Sequence, residues 1–190
     1  MTKFDLKLLD IHWLGDDKEH TDLCAHGQVF VRIGEEILSD KIKQGDWALN
    51  SSSLHLLRSL SEDHFLSGDD YTNDADWALV MCCGHMFWDA KSEGRIRFYK
   101  CQDSIDWTVE HIDDNTVKLT TENGTSVTLP IEEYSRPVLK FADQVKEFYD
   151  TQPPRAIRDD DDWVYYELNK DRNGYELFWK EWNKLRNSYK

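Results

Sequence analysis

Apolar positions are spread unevenly along the chain. The densest run is Trp77 to Trp88, reading Trp-Ala-Leu-Val-Met-Cys-Cys-Gly-His-Met-Phe-Trp. Asp69-Asp70 and Asn73-Asp74 stand before it and Ser92-Glu93-Gly94 after it. A short continuous apolar run between turn signals predicts a strand buried on both faces. Trp77, Leu79, Met81 and Cys83 would face one way, and Ala78, Val80 and Cys82 the other.

Other segments carry clearer periods. Leu6, Leu8, Ile11 and Trp13 predict an opening strand within Phe4 to Leu14, closed by Gly15-Asp16-Asp17. Ala25, Val29, Val31 and Ile33 alternate with Gln28 and Arg32, the pattern of a half-buried strand, with Gly27 as a bulge. Gly34-Glu35 then turns into Glu36-Ile37-Leu38. Asn50-Ser51-Ser52-Ser53 offer N-caps before Leu54, Leu57 and Leu60, which predicts a short helix over 51–61. Asp63 to Asp76 is polar and reads as a surface loop, a candidate lid. Arg95–Cys101, Ile105–Ile112 and Thr116–Thr121 alternate, and Glu122-Asn123-Gly124-Thr125 is a tight-turn signal before Val127 and Leu129. These segments predict an antiparallel meander.

Beyond Pro130, Tyr134, Val138, Phe141, Val145 and Phe148 lie at steps of four and three, one face of a helix whose first position is Pro137. Thr151-Gln152-Pro153-Pro154 stops it. Phe178, Trp182, Leu185 and Tyr189 define a last helix over Tyr175 to Tyr189. The fold class predicted is α+β: a mostly antiparallel sheet of about six to eight strands, a short helix near 51–61, and two C-terminal helices packed on it. No composition shift divides the 190 residues, so residues 1–190 are expected to form one domain. Asp-Trp recurs at Asp46-Trp47, Asp76-Trp77 and Asp106-Trp107, but the following residues do not keep register, and we read no repeat from it.

Charge narrows the function classes. Thirty-seven Asp and Glu against 23 Lys and Arg leave a formal charge of −14, which repels nucleic-acid phosphates and anionic membrane surfaces. Eight Trp, eight Tyr and eight Phe give enough burial to fold. The opening residues lack an apolar leader and no window spans a bilayer, so a cytoplasmic protein is expected. Of the four cysteines, Cys82 and Cys83 are adjacent, a spacing that favours reduced thiols.

Two constellations suggest chemistry. Cys24-Ala25-His26 and Cys83-Gly84-His85 each place a thiol and an imidazole two residues apart, on one face of a strand. Neighbouring strands would let Cys24, His26, Cys83 and His85 hold one tetrahedral zinc. Alternatively, Cys82 or Cys83 would act as a nucleophile activated by His85 or His26. His55 and His64 flank a leucine-rich helix and read as a solvated helix end, with Asp63-His64 as an acid–base pair the alternative, while His12, His20 and His111 have no partner visible in the sequence. Asp159, Asp160, Asp161 and Asp162 lack the spacing of a calcium loop. Beside Trp163, Tyr165 and Tyr166 they form an anionic rim with aromatic anchors, suited to protein contact.

Asp22 to Gly27, Leu56 to Leu60 with Asp63-His64, Cys82 to His85, Ile105-Asp106-Trp107, Phe148-Tyr149 and Gly174 to Trp182 together resemble a family of uncharacterised bacterial proteins. That resemblance implies a single bacterial domain and supplies no functional residues. In size and charge the chain is also similar to immunity proteins that neutralise polymorphic toxins. The expected function is therefore an acidic cytoplasmic binding module, an immunity protein against a basic toxin or other basic protein. The alternative is a zinc-binding or thiol-dependent enzyme using Cys24, His26, Cys83 and His85.

Overall fold

The structure, a computed structural model, describes residues 3–16, 18–40, 46–66, 78–82, 86–88, 95–98, 104–156 and 172–189. The fold is α+β, with every described strand pairing antiparallel. β1 (Phe4–Leu8), β3 (Val29–Ile33) and β4 (Glu36–Ser39) form one sheet in the order β1-β3-β4. A second sheet, β2-β5-β6-β9, joins His26–Gly27, Trp47–Ala48, Val80–Met81 and Ser104–Ile105. β7 (Met86–Trp88) pairs with β8 (Ile96–Phe98), and β10 (Trp107–Asp113), β11 (Thr116–Thr121) and β12 (Ser126–Pro130) form the expected meander. The described strands are shorter and more numerous than their periodicity suggests, because they serve four small sheets.

The apolar run does not form one strand. Ala78 to Met81 is buried, as expected of a strand covered on both faces, but β6 belongs to the sheet with β5 and β9 while β7 pairs with β8. Periodicity reports burial and says nothing about which partner supplies the hydrogen bonds.

Among the described residues three helices close the fold: α1 (Leu49–Arg58), α2 (Ile131–Thr151) and α3 (Arg172–Asn187). α1 starts before the serines, after Ala48, which gives no side-chain cap. Leu49 N–H instead donates to Ala25 O at 2.7 Å, and all ten residues of α1 are buried. Its serines sit inside the helix and bond across it: Ser52 Oγ accepts from Met81 N–H at 3.1 Å and Ser53 Oγ from Trp182 Nε1–H at 3.1 Å. α2 likewise starts early, with Pro130 at the N-cap and Pro137 inside the helix rather than at its first position. Ile131 N–H donates to Asn115 O at 2.8 Å, which anchors this start on the meander.

α2 lays Tyr134, Val138, Phe141 and Val145 into the core. Phe4 meets Tyr134 at 5.0 Å and Trp107 at 5.9 Å between ring centroids, joining β1, α2 and the meander. α3 buries Phe178 and Trp182. Gly27 lies where β2 passes Asp10: a Cβ there would stand 2.0 Å from Asp10 O, so the position demands close backbone approach rather than a bulge.

Candidate functional site

The site begins where α1 ends. Ser61 and Glu62 N–H both donate to Arg58 O at 3.1 Å, and the chain then lies against β10 through reciprocal His64–Val109 backbone bonds of 2.8 and 2.7 Å. This geometry sends three consecutive side chains to three different segments. Arg95 Nη2 donates to the Glu62 carboxylate at 2.5 and 2.6 Å. Asp63 Oδ1 accepts from His111 N–H at 2.8 Å and pairs with His111 Nδ1 at 2.9 Å. His64 Nε2–H donates to Asp106 Oδ1 at 2.7 Å.

Between these groups lies a cleft of about 320 Å³ lined by His55, Arg58, Ser59, Glu62, Asp63, His64, Phe65 and Arg95. Arg58 is buried in its wall. Its Nε and Nη2 each lie 2.8 Å from Glu181 Oε1, and Nη2 also donates to Ile96 O at 2.7 Å. Ile96 N–H returns to Glu181 Oε2 at 3.0 Å. Two guanidinium groups thus meet the carboxylates of Glu62 and Glu181, while Asp63 and Asp106 meet the imidazoles of His111 and His64.

Burial sets the protonation of the inner groups. It holds the His55 imidazole well below its ordinary pKa, reinforced by Arg58, and the ring packs edge-on against Phe98 at 5.3 Å. Burial also raises Asp106, opposed by the hydrogen bond and charge of His64 and by the N–H groups of Leu79 and Trp107. Asp63, at the open side, is lowered by the backbone and side-chain hydrogen bonds of His111. A buried carboxylate bonded to one imidazole nitrogen fixes that ring's tautomer and orientation. No protein-family model, curated protein or solved structure matches this chain.

Asp63 and His64 are therefore not a pair with each other; each finds a distant partner. His111 has one too, as do His12, beside Asp10 at 3.0 Å and Asp46 at 3.3 Å, and His20, whose Nδ1 accepts from Arg155 Nη2 at 3.0 Å. Asp106, Arg58, Arg95 and Glu181 were not singled out by sequence. The signals present were an arginine within a leucine-rich helix and the Asp of an Asp-Trp pair.

Cys24 and His26 are buried, with Asn50 Nδ2 4.0 Å from Cys24 Sγ. β5 lies between β2, which carries His26, and β6, so these strands are not neighbours. Cys83 and His85 lie outside the described residues, as do Asp159, Asp160, Asp161, Asp162 and Trp163. Among the described residues no three His, Cys, Asp or Glu side chains converge as a metal site. Cys82 is disulfide-bonded, against the expectation of reduced thiols throughout.

Proposed function

We propose that the chain is an acidic protein-binding module that docks a basic partner, and specifically an immunity protein that occludes a basic toxin. The observation that carries this reading is the formal charge of −14. Such a field accelerates encounter with a basic surface and disfavours phosphate backbones and anionic lipid, so nucleic acid is not a partner in this proposal. No helix among the described residues is long and apolar enough to cross a membrane. Cytoplasmic action and contact through Asp159 to Asp162 and Trp163 belong to the same proposal.

The test is affinity capture of the tagged protein from its own cells at low salt, with mass spectrometry and metal analysis of the eluate. The expected result is a stoichiometric basic partner released by salt, whose association with the purified protein slows as ionic strength rises. A partner whose association rate ignores ionic strength overturns the electrostatic reading. Stoichiometric zinc without a partner moves the function to the alternative centred on Cys24, His26, Cys83 and His85.

A further inference from the structure

The cleft at the end of α1 has a chemistry that its ion pairs leave unfinished. Its two arginines are already answered by Glu62 and Glu181, so neither offers an uncompensated charge to an anion. The last turn of α1 adds the partial negative charge of a helix C-terminus. Asp63 faces the open side with its side chain 42 % exposed, and its hydrogen bonds to His111 both fall on Oδ1. Phe65, which lines the same cleft, is 62 % exposed, the most exposed large apolar side chain among the described residues. An exposed aromatic face beside an ionised carboxylate suits a planar cation, which can stack on the ring while donating to the carboxylate oxygen. The volume of about 320 Å³ is at the small end of ligand sites, the scale of a side chain rather than a cofactor.

We propose that this cleft is the socket for an arginine side chain of a basic protein partner, with Asp63 as its anionic contact and Phe65 as its stacking surface. The inference rests on the basic-partner reading above and supplies it with a contact among the described residues. Arginine is favoured over lysine because a compact ammonium cannot stack and donate in one plane. Charge complementarity selects the occupant: with Arg58 held by Glu181 and Arg95 by Glu62, Asp63 is the lining carboxylate that no arginine among the described residues answers, and the whole chain is acidic.

The experiment titrates the full-length, isotope-labelled protein with a capped hexa-arginine peptide at low ionic strength, and in parallel with inorganic phosphate, following backbone amides and calorimetric affinity. Amides of residues 60–66 should respond to the peptide. Asp63→Asn and Phe65→Ala should each weaken it about three- to five-fold, while Glu133→Gln, an exposed change on α2, should leave the affinity unaltered. Both test positions are exposed, and the amide introduced by Asp63→Asn keeps an oxygen for His111, so the variants should fold. Unchanged affinity in both variants overturns the socket while the basic-partner reading stands. No binding of the peptide at low salt overturns both, and phosphate moving the same amides in place of the peptide overturns the cationic assignment.

Discussion

Arg58 joins α1 to α3 and β8 through one guanidinium, with side-chain exposures of 9 % for Arg58 and 14 % for Glu181. Removing it leaves a buried carboxylate without its counter-charge and Ile96 O without its donor. Arg58→Ala should therefore cost about 3–5 kcal/mol, measured by chemical denaturation at neutral pH. His55 gives a pH signature of known sign. Its folded pKa lies below its ordinary value of 6.5 because burial opposes the charged form, so the unfolded chain binds the proton first. Its contribution is present above that value and is lost as pH falls below it. His55→Phe should be less stable at neutral pH yet show a flatter decline from there down to about pH 5. Asp63 acts lower. Its folded pKa is below 3.8, so its contribution is present above that value and lost on further acidification, and Asp63→Asn should flatten that limb. These residues were only partly legible in sequence. His55, Asp63 and His64 could be named as titratable groups at a helix end, but their partners lie up to 48 residues away and leave no local trace.

At the scale of elements, short-range pattern identified types better than limits. α2 and α3 present the apolar faces their spacing predicts, and the tight turn at Gly124, with φ of +86°, connects β11 to β12. The helix starts were displaced because tertiary partners, not serine or proline chemistry, supply the first bonds of α1 and α2. The polar Ser51 to Ser53 segment reads as a cap, yet the hydroxyls of Ser52 and Ser53 are consumed by cross-links to β6 and α3. Gly27 tests how tightly β2 meets the opening segment. Gly27→Ala would drive a Cβ against Asp10 O and Leu49 Cδ1, and because the first contact is backbone the clash cannot be relieved by a rotamer. It should cost about 3 kcal/mol, seen as a fall of roughly 6–12 °C in Tm.

For the whole molecule, the charge of −14 means self-repulsion in the compact state. Moderate sodium chloride at neutral pH should therefore raise Tm, the reverse of its expected effect on association with a basic partner; a Tm that falls with salt would contradict this. Composition determined that acidity, and hydrophobic period determined the meander, the two amphipathic C-terminal helices and the α+β class. These properties are sums or short-range repeats, readable without a partner. The tertiary structure decided how Trp77 to Trp88 is divided between sheets, why a serine-rich helix is buried, and which carboxylates His64 and His111 meet. Those outcomes depend on backbone pairing and desolvation between residues distant in sequence, where any of several acids or strands would satisfy the local pattern equally well.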